Sequence, residues 1–305
     1  MSSGPASPTT EVGDPVAATS GGAGAPEASD TVGPSDAAAR RRRRGPYSAA
    51  ALFVLPYLLL MLAWAGSNPP GASADEADHL VKALGVGRLH IGEPFRDPVP
   101  ASARRLVKRN ASISRVVRIP ARLAPDGFKC TAFHPERTAA CLPKTASRAS
   151  GTVLRATPVG SYPPFLYFPL GFVADLATTP TQAFLAARFV SVLMASLLLF
   201  AGAFHLVRWL GRRALLGAFV GLTPMALFAS AMVSTGGVEI CAAFAVAAVG
   251  VVAIRRRESL LTTATQLTLA GAGVALILSR QLGSVAFAAI IVLVVLRIGW
   301  RATWE

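Results

Sequence analysis

The sequence predicts an all-α polytopic membrane protein with about six transmembrane helices and one long extracytoplasmic segment after the first. Three observations carry this. Only 15% of the residues are charged, 52% are hydrophobic and the mean hydropathy is +0.49, whereas soluble domains carry about 25% charged residues. Six apolar runs follow one another along the 305 residues, most of them long enough to approach the roughly 30 Å of a bilayer's hydrocarbon at about 1.5 Å per residue. Basic clusters then stand at alternate ends of those runs. The net charge of +14 is therefore read as the positive-inside pattern and not as a face for nucleic acid.

Residues 1–45 form the first region. Up to residue 39 the chain is rich in Ser, Gly, Ala, Pro and Thr and holds five acidic residues without Lys, Arg or aromatics. Such a composition cannot bury enough apolar surface to offset its ordering entropy, so a disordered cytoplasmic tail is expected, and its acidity argues against a cleaved signal. Arg40 to Arg44 supply a basic stop.

The first span is expected over residues 47–66, "YSAAALFVLPYLLLMLAWAG", with Pro56 a tolerated kink. Residues 67–182 are the extracytoplasmic segment. Residues 183–298 hold spans two to six, at about 183–207, 214–233, 238–254, 259–278 and 284–298, and residues 299–305 form the cytoplasmic end. Arg208 with Arg212 and Arg213, Arg255 to Arg257, and Arg297 with Arg301 all fall on the side of Arg40 to Arg44. Both termini are thus expected in the cytoplasm of a protein of the plasma membrane, the long outer segment being exempt from the charge count. In that segment Cys130 and Cys141 share an oxidising compartment, which predicts a disulfide. His134 lies between them without a fourth ligand at zinc-site spacing, so no metal centre is expected there.

The chemistry-bearing residues gather where the chain leaves the first span. In "NPPGASADEADHLVKALGVG" a helix starting near Ala74 would put Asp75, Asp78 and His79 on one face, with Glu76 about 100° around. Asp75 and Glu76 also suit a first turn electrostatically. Polar groups at a membrane face next to a bundle point to function. A carboxylate there could act as general base, tuned by its neighbours. Alternatively Glu76 and His79, three apart, could hold a divalent cation.

"TPVGSYPPFLYFPLGFV" at residues 157–173, with Tyr162 at its Pro-Pro step, suits an aromatic belt whose prolines delay the helix to about Phe165. Glu239 follows "STGG", and Arg280 with Gln281 stands in the turn "SRQLGS". All fall on the outer side. A guanidinium beside carboxylates there suits a lipid phosphate, which arginine pairs bidentately. The chain carries no Walker motif, nucleotide-binding glycine fingerprint or serine-hydrolase elbow, and "GVGRLHIG" lacks the strand such a fingerprint needs.

These stretches carry a resemblance. "NPP…DEADH", "GSYPPFLYFPLG", "ARFVSVLMASLLL", "GLTPMALFASAMVSTGGVEI" and "SRQLGS", spanning residues 50–298, resemble the actinobacterial membrane family catalogued as domain of unknown function 2142. That family in turn is similar to C-type glycosyltransferases, which use polyprenyl-phosphate sugars and place a catalytic carboxylate in the first outer loop. The resemblance implies cell-envelope assembly, with Asp75 or Glu76 as base, His79 beside them, and Asp78, Tyr162, Glu239, Arg280 and Gln281 as substrate-binding residues. The partners would be a polyprenyl-phosphate lipid and an envelope glycan acceptor. Two departures are visible. "GASA" lengthens the family's Pro-Pro-Asp-Glu step, and the chain stops at "RIGWRATWE" where relatives continue into further spans, which reads as a shortened member or a fragment. The rival readings are a transporter or flippase of an envelope lipid or polymer, and a non-catalytic accessory subunit. Mid-span ionisable residues, the mark of a transporter, are nearly absent.

Overall fold

A computed structural model describes residues 34–94, 114–132, 134, 136–143 and 149–299, with side chains from Gly45 onward. The expected tail up to residue 33, much of the outer segment's basic stretch and residues 300–305 lie outside the described residues. The chain divides into two units, Met1–Arg41 and Arg42–Glu305. In the first, the backbone is helical from Pro34, inside the stretch whose composition predicts a tail. Apart from the first residues of α1, everything below belongs to the second.

Helix α1 (Pro34–Ser67) runs through Pro46 and Pro56 as one helix, and its portion Gly45–Ser67 is long and apolar enough to cross a membrane. Its end follows from the sequence. Pro69 and Pro70 cannot continue a helix, and the Asn68 side chain donates back to the Trp64 carbonyl at 2.9 Å.

The long segment after α1 is built around α2 (Glu76–Gly87), in which every residue from Glu76 to Val86 is buried. It is thus the central helix of a lobe and not a surface helix. Strands β1 (Arg115–Pro120) and β2 (Thr152–Thr157) pair antiparallel, Arg115 opposite Thr157 and Pro120 opposite Thr152. This two-stranded ladder is a small addition to a mostly helical protein. Its β-branched residues Val116, Val117, Ile119, Thr152 and Val153 favour pleated backbone, and Val117 and Ile119 join Leu80, Leu84 and Phe128 in the lobe's core. Cys130 and Cys141 are joined by a disulfide, with 6.1 Å between their Cα atoms.

Helix α3 (Tyr167–Asp175) closes the lobe. Gly171 lets it lie directly on α2: a Cβ there would sit 1.7 Å from the Ala83 carbonyl oxygen. Its opposite face leaves Phe168 and Phe172 exposed, their rings stacked at 6.1 Å. That is the aromatic surface expected at a membrane interface.

Behind the lobe stands the bundle. Helix α4 (Pro180–Leu210) packs Val192, Ala195 and Leu199 with Val54, Tyr57 and Met61 of α1. The expected third span, about 214–233, is two helices with a sharp bend between them. Helices α5 (Leu215–Gly221) and α6 (Pro224–Ala231) belong to a pair of segments bent by 78°. The bend is local chemistry: Pro224 occupies a first-turn position and Thr223 caps α6 by accepting from the Ala226 amide at 3.3 Å. Helix α7 (Gly236–Arg255) is long and apolar enough to span, while α8 (Thr263–Ile277) and α9 (Gly283–Ile298) are shorter. Their 15 and 16 residues reach roughly 22–24 Å, short of about 30 Å of hydrocarbon. Among the described residues, three helices long and apolar enough to span, one bent pair of helices and two shorter apolar helices stand where about six spans were expected. Bare leucines such as Leu59, Leu197 and Leu293, each more than half exposed, face outward as lipid contact requires.

Candidate functional site

The start of α2 and the residue before it send Asp75, Glu76, Asp78 and His79 to three different destinations. Glu76 turns inward and is fully buried against the equally buried Arg188 of α4. Its Oε1 accepts from Arg188 Nε at 2.7 Å and the Val233 amide at 3.0 Å. Its Oε2 accepts from the second Arg188 terminal nitrogen at 2.7 Å and the Gly71 amide at 2.9 Å. The remaining guanidinium hydrogens go to the carbonyls of Ala65 at 2.8 Å, Asn68 at 2.7 Å and Pro69 at 2.9 Å. All five donors of the arginine and both oxygens of the carboxylate are engaged. This pair ties the end of α1, the turn after it, α2, α4 and the chain entering α7 into one joint.

Asp78 turns toward the lobe. Its Oδ2 takes a 2.5 Å contact from Lys129, and the Thr157 hydroxyl donates to its main-chain carbonyl at 3.0 Å. Burial raises the Asp78 carboxyl above its ordinary range, and the Lys129 ammonium partly offsets this. One turn on, the buried Lys82 ammonium donates to the carbonyls of Gly160 at 2.7 Å and Ile91 at 2.8 Å, fixing the chain before α3. Burial, then the nearby Arg115, lowers the Lys82 amine to about 8.

Asp75 and His79 take the third direction. Asp75 stands exposed just before α2 and does not cap it with its side chain. Both residues line a cavity of about 320 Å³. Ser234, Gly236, Glu239 and Arg280 line it too, while Met225, Phe228, Met232 and Ile240 supply an apolar wall. The cavity thus brings together Asp75, His79, Glu239 and Arg280, residues from distant parts of the chain. Arg280 Nε lies 3.6 Å from Glu239 Oε2, a loose ion pair, and its guanidinium carbon sits 5.8 Å from the centre of the Tyr162 ring. Gln281 is exposed and is not among the cavity's residues.

The His79 ring is buried. Its Nδ1 lies 2.6 Å from the Tyr167 hydroxyl, and the two rings stack at 5.8 Å. Burial, then the positive Arg280, lowers the imidazole to about 3, so it is neutral at physiological pH. The Tyr167 phenol is raised above its ordinary value, chiefly by burial. Glu76 and His79 are thus committed to different partners. No group of three or more His, Cys, Asp or Glu that could hold a metal ion occurs among the described residues.

One expectation needs correcting. A shared face for Asp75, Asp78 and His79 does not hold, because Asp78 packs into the lobe while Asp75 precedes the helix. Two site residues escaped the sequence reading, Arg188 and Tyr167. For Arg188 the signal was present, since an arginine inside the apolar run "FLAARFVSVLMA" is costly unless paired. For Tyr167 nothing separates it in sequence from its aromatic neighbours.

A family model described as "Predicted membrane protein (DUF2142)" matches residues 58–303. Neither the curated proteins nor the solved structures include a match to the chain.

Proposed function

Because the chain belongs to this DUF2142 family of predicted membrane proteins, we propose that it is a C-type-like glycosyltransferase of cell-envelope assembly that uses a polyprenyl-phosphate sugar. The observation that carries the reading is the cavity. One exposed carboxylate, Asp75, and one arginine, Arg280, face the same 320 Å³ space, walled on its other side by methionine, phenylalanine and isoleucine. A polar pole against an apolar wall fits a ligand with a charged head and a hydrocarbon tail. In this role Asp75 takes the proton from an acceptor hydroxyl, and that oxygen attacks the anomeric carbon of the donor sugar. The bond from that carbon to the phosphate oxygen breaks, and polyprenyl phosphate leaves with the electron pair, its charge met by Arg280. Of the two acids in the Asp-Glu step, Asp75 is the one with a free carboxylate. Glu76, with both oxygens engaged, holds the joint instead.

The topology belongs to the same reading. Basic residues end α4, α7 and α9 at Arg208, Arg255 and Arg297. With that side in the cytoplasm, both termini are cytoplasmic and the cavity opens on the outer face of the plasma membrane. The rival transporter reading would need a polar relay through the bundle. The one histidine of α4 is His205, close to its Arg208 end, and the ring is taken up by Thr268 of α8 at 2.9 Å and Thr265 at 3.4 Å.

The test is the lipid-linked sugar profile of cells lacking the protein, complemented with wild type or Asp75→Asn at equal abundance. Wild type is expected to restore a missing envelope glycan. Asp75→Asn is expected to leave a polyprenyl-phosphate sugar accumulated, with restoration down by about 100-fold or more, the scale of a lost general base. Full restoration by Asp75→Asn would remove the enzyme reading in favour of an accessory role.

A further inference from the structure

The buried contact between Tyr167 and His79 decides which hydrogen the imidazole shows to the cavity. A neutral imidazole has a single N–H, and it can sit on either nitrogen. Tyr167 is fully buried, its hydroxyl 2.6 Å from His79 Nδ1 and also interacting with the Thr235 side chain. With the hydrogen of the imidazole on Nδ1 instead, the phenol would have to donate to Thr235, and the buried Thr235 hydroxyl, which has no other partner, would strand its own hydrogen away from water. The arrangement that leaves every hydrogen placed has the Tyr167 O–H donating to Nδ1. Nε2 then bears the hydrogen and is the ring nitrogen left for the cavity that His79 lines. Ring stacking at 5.8 Å with an interplanar angle of 13° holds the imidazole plane in place as well.

Beside it stands Arg280. Its separation of 3.6 Å from Glu239 is longer than a hydrogen bond, and its Nε is buried without a hydrogen-bond partner. A guanidinium carries five donors in a fork, so one carboxylate at that distance does not saturate it. A neutral N–H and a cationic fork therefore converge on one cavity, with Tyr162 under the guanidinium and close to the imidazole, 6.2 Å between ring centres.

We propose that His79 Nε2–H and Arg280 together form a seat for the oxygens of a phosphate ester, and that Tyr167 is the positioning residue that keeps His79 as a donor. This rests on the reading of the cavity as a lipid-phosphate site and assigns its parts. His79 is then neither the base nor a cation ligand, which leaves the proton transfer to Asp75. Glu239 shares Arg280 with the incoming phosphate and sets how strongly the seat attracts it.

Two measurements on the full chain in phosphatidylcholine nanodiscs test this, and neither needs turnover. The first is nitrogen-15 NMR of histidine-labelled protein, with His79 assigned by the signal lost in His79→Gln. The expected His79 signals are a hydrogen-bearing Nε2 and a bare Nδ1, with the two tautomers mixed in Tyr167→Phe, which keeps the ring but loses the hydroxyl. A wild-type imidazole with its hydrogen on Nδ1 overturns the proposal. The second is a titration with farnesyl phosphate, farnesol and inorganic phosphate. Wild type is expected to prefer farnesyl phosphate to farnesol by about tenfold or more, on the scale of a charge-assisted hydrogen bond. Tyr167→Phe should lose several-fold of that preference, whereas His79→Gln, whose amide also donates, should keep most of it.

Equal binding of farnesyl phosphate and farnesol by wild type sinks the seat, as does an unchanged preference in Tyr167→Phe. Displacement of farnesyl phosphate by millimolar inorganic phosphate overturns the lipid-borne source, and resistance to displacement supports it. Phosphate preference with the expected tautomer, but no change of envelope glycan in the Asp75→Asn cells, upholds the seat and removes the transferase reading alone.

Discussion

Arg188 and Glu76 form a joint whose strength is all-or-none. Each is buried completely, and between them they place five guanidinium hydrogens and both carboxylate oxygens. A lysine in place of Arg188 presents three donors from a single point and cannot span a carboxylate and three separate carbonyls. Breaking one partner of a buried pair costs about 3–5 kcal/mol. Arg188→Lys and Glu76→Gln should therefore lower the thermal midpoint of purified protein sharply, while Asp75→Asn, at an exposed position, should stay within about 0.5 kcal/mol of wild type. His79 adds a pH dependence. Its folded pKa of about 3 lies below the value near 6.5 expected when unfolded. The unfolded chain thus takes up a proton in that window that the folded chain refuses. Stability contributed by neutral His79 is complete above about pH 6.5 and is lost as pH falls from there toward 3, by up to about 1.4 kcal/mol per pH unit. Thermal melts between pH 7 and pH 5 should show a smaller slope in His79→Gln than in wild type, a difference that cancels the opposing carboxylates common to both.

Elements were legible where their cause is local. The spans showed as runs of apolar residues, the end of α1 as Pro69 and Pro70, and the disulfide as two cysteines in one compartment. The four cavity residues Asp75, His79, Glu239 and Arg280 were legible as polar groups on a common side, because the alternation of spans restricts them to one face. What escaped depends on contacts that no window of sequence contains. The central place of α2 arises from Gly171 lying against the Ala83 carbonyl of another helix. The bend between α5 and α6 was readable only in part. "LTP" announces a cap and a helix start, but an apolar run of this length reads equally well as one straight span. The separate destinations of Glu76 and Asp78 follow from Arg188 and Lys129, 112 and 51 residues away.

At the scale of the whole molecule, the proposed orientation can be read chemically. Cys241 is buried, and Cys130 and Cys141 are bonded to each other, so background thiol labelling should be low. A cysteine at Ser150, exposed in the outer lobe, should react with a membrane-impermeant maleimide in intact cells. A cysteine at Glu258, exposed after α7, should react only once the membrane is opened, and the reverse pattern would invert the topology. The Arg188 joint also sets a clock. The glutamate it neutralises is made 112 residues earlier, which at about 5–20 residues per second is roughly 6–22 seconds of synthesis. Throughout that interval the nascent lobe carries an acid without its arginine and an open end of α1. Its final fold is sealed only when the second long helix enters the membrane. Quality-control factors would therefore meet this lobe as an unfinished domain for most of the time it takes to make it.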